Sequence, residues 1–165
     1  MKQFTLTLIF TLVSLLASAD PVEIGGIWYN LVSKTKMAEV AKKPSGKYSG
    51  AIVIPEKVTY NGAEYSVTSI GKGAFYSCTS LTSITLPNSI TSIGDAAFAY
   101  CTGLTSFTIP TSVKSIGAYA FYDCTGVPSI MIPDSVKSIG SGAFARTHRP
   151  DLHISRGRQE QSLHP

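Results

Sequence analysis

Apolar and small residues recur along most of this chain with a constant period, and this repeat predicts the fold. Each copy carries an Ile-Gly pair, an Ala-Phe pair, a cysteine, a Leu-x-x-Ile-x-Leu-Pro segment and a final Ile or Val, with a few apolar exchanges. Agreement at so many positions in three full copies indicates a repeat architecture and not chance. The Ile-Gly pairs, whose spacing sets the period, begin at Ile70, Ile93, Ile116 and Ile139.

One period fits a single coil of a solenoid, in which coils stack because none can bury its own apolar edge alone. The spacing Leu81-x-x-Ile84-x-Leu86 predicts a strand with one buried face. We expect neighbouring coils to pair these strands in parallel, about 4.8 Å apart. Pro87 ends the strand because proline has no N–H to donate, and Gly71 permits a tight corner or a positive φ. The phenylalanines of the Ala-Phe pairs are predicted to fill the interior in one row: Phe75, Phe98 and Phe121.

The pattern I-G-x-x-A-F-x-x-C-x-x-L-x-x-I-x-L-P-x-x-V resembles the BspA-like leucine-rich repeat. The resemblance covers residues 51–145 and implies an α/β leucine-rich-repeat solenoid, mostly β, with stacked parallel strands. It also implies a secreted or surface bacterial protein that acts in adhesion or in recognition of proteins or glycans. Because the matched positions are core positions, the resemblance implies the fold and identifies no ligand site.

The N-terminal segment, residues 1–19, has the pattern of a secretory signal peptide. Lys2 precedes an apolar run over residues 4–16, and Ala17-Ser18-Ala19 forms a small-residue cleavage site. We expect cleavage after Ala19 and a secreted or cell-surface mature protein without a transmembrane segment, because the run is short for a bilayer. A buried strand or an anchoring helix is the alternative interpretation of this run.

Residues 20–50 are predicted to form a β-rich N-terminal cap, followed by the solenoid over residues 51–145. The cap contains a strand at residues 26–32, and we expect Trp28 to cover the first apolar edge. An exposed aromatic for a sugar is the alternative role of this residue. Within the first coil, Asn61-Gly62 between strand-like flanks predicts a hairpin insertion at residues 58–67.

The repeat breaks down near the end of the chain, and residues 146–165 are predicted to be an aberrant, disordered tail. Thr147 stands where a cysteine is expected and Pro150 where a leucine is expected. All four arginines and all three histidines follow Ala145. A frameshift, a truncated gene or a misassigned end explains this change, and a native basic tail for an anionic partner is the alternative. In each case the last coil lacks a proper C-terminal cap, which predicts fraying or self-association.

Charge and composition exclude several functions. The chain is 15% charged and 44% hydrophobic, with a formal net charge of +4. Residues 20–145 carry nine lysines against eight acids, so the basic balance lies at the two ends and no nucleic-acid partner is expected. The histidines that a catalytic triad needs lie only in the tail. We therefore predict no enzyme activity, no cofactor and no metal site.

The three cysteines share one repeat position. We expect buried, reduced thiols in a column, because parallel side chains on a ladder point in the same direction and an odd number leaves one unpaired. Disulfides between adjacent coils are the alternative, since the Cα atoms would be within range. The residues concerned are Cys78, Cys101 and Cys124.

Two surfaces are candidates for binding. The first is a set of tyrosines beside the Ala-Phe corners, which suit sugar stacking or a protein interface and equally suit packing between coils: Tyr76, Tyr100, Tyr119 and Tyr122. The second is the outward face of the predicted strands, although small hydroxyl side chains also suit a sheet surface without a ligand: Thr82, Ser83, Thr85, Thr105, Ser106 and Thr108.

The sequence therefore predicts a secreted or cell-surface recognition module for adhesion, with a host or bacterial surface protein or glycan as its partner. The alternative is a truncated or frameshifted fragment of a longer surface solenoid, with no activity of its own.

Overall fold

The computed structural model describes residues 20–147, in which strands and tight turns follow one another in a stack of coils. The predicted signal peptide and residues 148–165 of the predicted tail lie outside these residues. The strands are β1 Val22–Ile24, β2 Ile27–Val32, β3 Met37–Val40, β4 Gly50–Val53, β5 Lys57–Tyr60, β6 Ala63–Ile70, β7 Leu81–Thr85, β8 Ser92–Ile93, β9 Ser115–Ile116 and β10 Ser138–Ile139. One sheet has the order β1-β2-β3-β6-β8-β9-β10, with β5 paired to β6, and β4 pairs with β7 in a second sheet.

The continuous parallel ladder runs through Ser-Ile pairs. Ser69 of β6 pairs with Ser92, Ser92 with Ser115, and Ser115 with Ser138, so that each partner lies one repeat period further along the chain. The isoleucine after each serine pairs in the same register. This ladder joins every coil after the cap, so like residues lie above like residues.

The predicted parallel ladder through the Leu-x-x-Ile-x-Leu segments is wrong beyond the first coils. Strand β4 pairs in parallel with β7, with Ile52 opposite Ile84. The next coil adds only the isolated bridge between Ser83 and Ser106 within the described residues. The Thr105 N–H still donates to the Thr82 carbonyl at 3.1 Å, but the equivalent residue one coil later is Pro128, which has no N–H to donate.

The N-terminal segment caps the stack with an antiparallel β-meander. Strand β1 pairs antiparallel with β2, and β2 pairs antiparallel with β3. Strand β3 then pairs in parallel with β6, with Val40 opposite Ile70. Parallel stacking therefore begins inside the segment predicted as a cap. Because the residues around Lys36 are polar, the sequence did not predict strand β3.

The hairpin in the first coil joins β5 to β6 through Asn61-Gly62. Both turn residues have a positive φ, 49° and 74°, which fits a tight two-residue hairpin turn. Lys57 and Glu64 form a salt bridge of 2.8 Å across the two strands. Because both side chains are largely exposed, this ion pair contributes little to stability.

Tight turns, and not helices, follow the Ile-Gly pairs, so the α part of the predicted α/β class is wrong for residues 20–147. Alternate amides of each turn segment bond in different directions. The Phe75 N–H donates to the Ala97 carbonyl of the next coil at 2.8 Å, whereas the Tyr76 N–H donates to the Gly73 carbonyl at 3.0 Å within the turn. An α-helix needs consecutive amides to bond within its own segment, and here every second one is bonded to a neighbouring coil.

Residues with a left-handed backbone conformation occupy two repeat positions and produce this alternation of amide directions. The first position is occupied by Gly73, Ala96, Tyr119 and Gly142, with φ between 50° and 62°. The second is occupied by Ser77, Tyr100, Asp123 and Arg146, with φ between 55° and 61°. An L-residue in this conformation costs energy relative to glycine, so the fold holds six side-chain-bearing residues in a backbone state that glycine prefers.

The glycine of each Ile-Gly pair serves a different purpose. Gly117 does not have a positive φ. A Cβ atom there would lie 2.5 Å from the Asp95 amide nitrogen and 2.6 Å from the Gly94 carbonyl carbon of the preceding coil. Only glycine lets the two backbones approach this closely, so its role is close approach between coils.

A row of stacked phenylalanines fills the core, as predicted. Phe75, Phe98, Phe121 and Phe144 stack with centroid distances of 5.1, 5.2 and 5.3 Å and interplanar angles of 11° or less. The first three rings are completely buried. Phe107 packs edge-on against Phe98 and Phe121, at 5.0 and 4.7 Å. Tyr48 closes the N-terminal end of the row, 4.8 Å from Phe75.

Tyr29 is the fully buried aromatic residue of the cap, next to Trp28, the residue predicted to cover the first apolar edge. Residues alternate sides along β2, so Ile27 and Tyr29 face the core. Trp28 is half-buried and packs against the core from the other side, and its main-chain N–H donates to the Tyr48 hydroxyl at 2.9 Å. This placement does not favour the alternative role of Trp28 as an exposed sugar-binding residue.

The repeat register continues through Thr147, so the prediction that it fails after Ala145 is wrong for the last two described residues. The Asp123 N–H donates to the Ala145 carbonyl at 2.9 Å, as in the preceding coils. The Thr147 N–H donates to the Phe144 carbonyl at 3.3 Å, as the cysteine at this position does one coil earlier. Thr147 is buried at the cysteine position because its side chain is of similar size.

We predict opposite effects for two alanine-to-glycine substitutions that lie in equivalent turns. Ala96→Gly removes the strain of a left-handed alanine and should raise the free energy of unfolding by up to about 1 kcal/mol. Ala118→Gly, at a position without a positive φ, should lower it by about 0.5–1 kcal/mol, since glycine gains more entropy on unfolding. Urea unfolding followed by circular dichroism measures both changes, and equal effects of one sign would contradict the left-handed assignment.

Candidate functional site

Four predicted tyrosines come together as one surface, which we call the tyrosine strip: Tyr76, Tyr100, Tyr119 and Tyr122. The Tyr76 and Tyr100 rings meet edge to face at 5.5 Å, and Tyr100 and Tyr122 meet at 5.3 Å. Tyr119 joins the end of the row, 5.7 Å from Tyr122. The strip therefore crosses three successive coils along the solenoid axis.

The strip arises from residues that are not equivalent in the repeat. Tyr76 and Tyr122 share one repeat position, two coils apart, and the residue between them at that position is the buried Ala99. The small alanine leaves space, and the neighbouring Tyr100 fills it from the left-handed position, with φ 61°. The repeat pattern predicts these tyrosines as a set but does not predict their interlocking.

The tyrosine strip is exposed enough to bind a partner. Tyr76 is 39% exposed and Tyr119 is 50% exposed, whereas Tyr100 and Tyr122 are half-buried between their neighbours. Desolvation of the ring hydroxyl, together with Tyr122 and Tyr76 nearby, raises the pKa of Tyr100. The Tyr100 hydroxyl thus stays protonated, and able to donate a hydrogen bond, over the physiological pH range.

Two cations that the repeat pattern does not predict flank the strip. The Lys47 Nζ lies 5.6 Å from the centroid of the Tyr76 ring and donates to the Tyr76 carbonyl at 2.8 Å. The Arg146 guanidinium lies 5.8 Å from the centroid of the Tyr122 ring. The spacing of one repeat period between Asp123 and Arg146 is the signal that places Arg146 in the turn, although the sequence prediction puts this residue in the aberrant tail.

The predicted hydroxyl face also comes together, on the outward side of the Leu-x-x-Ile-x-Leu segments. Ser83 is half-buried and the other five residues are exposed. Thr105 Oγ1 donates to the Thr82 carbonyl at 3.2 Å, so part of this hydroxyl array is already bonded to backbone. Val53 and Met131, each 68% exposed, lie at its two ends. This face offers fewer free polar groups than its composition suggests.

The cysteines form a buried column of free thiols, which confirms that prediction. Cys101 Sγ donates to the Phe75 carbonyl and Cys124 Sγ to the Phe98 carbonyl, each at 3.0 Å. Desolvation raises the pKa of all three thiols, that of Cys124 to about 12. Thiols held neutral in this way are poor nucleophiles and poor metal ligands.

The part of the chain that the structure describes contains no cluster of three or more histidine, cysteine or acidic side chains that could hold a metal ion. Over the same residues, none of the segments is a helix long and apolar enough to cross a membrane.

Comparison with known proteins agrees with this architecture. Residues 52–159 match, in six copies, a family described as the BspA type leucine rich repeat region. No match was found among curated proteins.

Solved structures of bacterial leucine-rich repeat proteins resemble the chain. A protein of Bacteroides ovatus ATCC 8483 is 37% identical with a TM-score of 0.70, over 76% of this chain and 33% of that one. A protein of Bacteroides capillosus ATCC 29799 is 31% identical with a TM-score of 0.64, over 73% of this chain and 88% of that one. The T. pallidum leucine-rich repeat protein is 28% identical with a TM-score of 0.61, over 75% and 66%. The chain thus spans about a third of the B. ovatus protein.

The cysteine column predicts that stability falls in alkaline solution. The folded protein keeps the thiols protonated above their ordinary pKa of about 9, whereas the unfolded chain loses these protons. Each thiol should therefore lower the free energy of unfolding by about 1.4 kcal/mol per pH unit between its unfolded and folded pKa. Tyr29 and Tyr48, whose pKa is raised by burial to about 12, add the same effect above pH 10.

Urea unfolding of the original chain and of Cys124→Ala between pH 8 and pH 11 measures this contribution. The variant should be less stable at pH 8 and lose stability less steeply above pH 9, because one titrating thiol is gone while both buried tyrosines remain. Parallel pH profiles of the two proteins would contradict the assignment of Cys124.

Proposed function

The chain belongs to the BspA-type leucine-rich-repeat family, and we propose that it is a secreted or cell-surface recognition module whose tyrosine strip binds a surface protein or glycan in adhesion. Leucine-rich-repeat proteins generally bind proteins, and BspA-type members are typically secreted or surface proteins. We further propose that the protein has no enzymatic activity, in keeping with the general character of the family.

The single observation that carries this proposal is the interlocked tyrosine strip on a rigid scaffold. Tyrosine and arginine are the residues in which binding energy concentrates at protein interfaces. The rings here are held by contacts of 5.3–5.7 Å with one another, so little side-chain entropy remains to be lost on binding. The hydroxyl face is a secondary candidate surface, supported by its exposure and weakened by the bond that the Thr105 hydroxyl already makes to backbone.

The second candidate, a fragment of a longer surface solenoid, is favoured by the open C-terminal edge of the described stack. Ile139 is 36% exposed, whereas Ile93 and Ile116 at the same repeat position are 1% and 2% exposed. Phe144 is only half-buried at the end of the phenylalanine row. An edge of this kind also favours self-association through added strand pairing.

We predict that alanine substitutions in the tyrosine strip weaken binding of the mature chain to its partner on a matrix-protein and glycan array. Tyr76→Ala, Tyr100→Ala and Tyr122→Ala should each raise the Kd by about 30-fold, as expected for about 2 kcal/mol per anchor residue. Tyr60→Ala is the matched control, since this tyrosine is 37% exposed on the hairpin and lies outside the strip. Intact, folded protein that binds nothing on the array would count against the recognition role, as would an equal loss for the control.

For the open edge, we predict concentration-dependent self-association of the mature chain in sedimentation velocity. Ile139→Lys places a charge on the exposed ladder edge and should shift the population to monomer. Tyr60→Lys, at a residue of similar exposure (37%) on the hairpin of the first coil, should leave it unchanged. A monomer at every concentration would refute the self-association. Reading the coding DNA beyond Arg146 in all three frames then tests the fragment hypothesis, which requires the repeat pattern to resume in another frame.

A further inference from the structure

We infer that the tyrosine strip and the lysines at its N-terminal end bind an extended, acidic segment of a partner protein. This inference rests on the proposed recognition function and adds the chemical class of the partner. Three features carry it: the alignment of the strip along the solenoid axis, the distribution of charge beside it, and the way in which the ring faces are covered.

Five side chains from the cap and successive coils form a line of neighbouring contacts, with cations at both ends and aromatic rings between them. In order they are Lys47, Tyr76, Tyr100, Tyr122 and Arg146. With a spacing of about 4.8 Å between coils, the line is roughly 20 Å long. An extended polypeptide of about six residues spans that length, so the line fits a short stretch of extended chain better than it fits a compact small molecule.

Positive charge concentrates at the N-terminal end of this line. Lys42, Lys43 and Lys47 line a shallow cleft together with Tyr76. None of these lysines forms a salt bridge within residues 20–147, where the ion pair found is that of Lys57 with Glu64. One carboxylate, Glu23, acts electrostatically on Tyr48 of the same cleft. Three lysines against this one acid leave a net positive charge, which gains from an anionic partner.

The acidic groups of the turn segments lie further along and do not neutralise this cluster. The Asp95 carboxylate accepts a hydrogen bond of 2.9 Å from the Ala118 N–H. Asp123 shares its repeat position with Tyr100 and Arg146 and lies between them. The carboxylates of the partner therefore belong at the lysine end, and the tyrosines receive the rest of the segment.

The covering of the ring faces favours a protein segment over a glycan. Sugars bind aromatic residues by stacking on an open ring face, but here Lys47 lies over the Tyr76 ring and Arg146 over the Tyr122 ring. The central ring meets its neighbours edge to face. With these faces covered, a partner meets ring edges and phenol hydroxyls, which suit the backbone and side chains of a protein segment better than stacked sugar rings.

Fluorescence anisotropy with labelled twelve-residue peptides tests the inference on the mature chain. One probe repeats Glu-Pro-Glu-Val, and its neutral counterpart repeats Gln-Pro-Gln-Val. We expect the acidic peptide to bind at least tenfold more tightly at 50 mM NaCl, and the preference to shrink at 500 mM NaCl because salt screens surface charges.

Matched lysine variants locate the site. Lys42→Gln/Lys43→Gln/Lys47→Gln should abolish the preference for the acidic peptide, and Tyr100→Ala should weaken binding of that peptide at least fivefold. Lys34→Gln/Lys114→Gln/Lys137→Gln removes the same charge from exposed lysines elsewhere and should leave the preference intact. Thermal melts of all variants establish that they fold.

Three results overturn the inference: equal binding of both peptides, an equal effect of the control triple variant, or displacement of the acidic peptide by polygalacturonate at a lower carboxylate concentration than by unlabelled peptide. A partner from the array whose binding depends on the tyrosines but not on Lys42, Lys43 and Lys47 would leave the recognition function standing and refute only the acidic-segment inference.

Discussion

The stacking of equivalent residues at a constant separation is the constraint on which the rest of the structure depends. Phenylalanine rings 5.1–5.3 Å apart fill the centre of the coils, and alternate amides of each turn donate to the next coil at 2.7–3.0 Å. Each interaction requires the other, because rings can stack face to face only if the backbones repeat in register. The glycine of each Ile-Gly pair permits that register by letting backbones approach closely.

This constraint also decides which residues are free to serve recognition. Most residues that face the row of rings repeat, since a different volume would leave a cavity or force the coils apart. Phe107, at a position that holds isoleucine in Ile84 and Ile130, is accommodated edge-on against two of the rings. Residues on the outside of the turn can differ from coil to coil. The tyrosine strip uses this freedom, because Ala99 replaces a tyrosine in the middle coil and Tyr100 occupies the space. The same turn thus carries both the buried phenylalanine row, whose residues repeat, and the exposed tyrosine strip, whose residues differ from coil to coil.

The two ends of the described stack differ in how far their core residues are covered. At the N-terminal end, an antiparallel meander covers the first parallel strand, and Tyr29 and Tyr48 complete the buried aromatic cluster. At the C-terminal end of the described residues, Ile139 and Phe144 are more exposed than their counterparts in earlier coils. The antiparallel meander thus acts as the cap of the described stack.

Periodicity in the sequence determined the stacked coils, the buried phenylalanine row and the column of reduced thiols, because burial in a repeated structure forces the same residue type to recur. The sequence also predicted the hairpin, because Asn61-Gly62 is a local signal for a two-residue turn. Only the tertiary structure decided that the continuous ladder runs through the Ser-Ile pairs, that the turns are not helices, and that Lys47 and Arg146 flank interlocked tyrosines. These features depend on which amide or ring lies opposite another coil, and side chains at non-equivalent positions leave no periodic trace in the sequence.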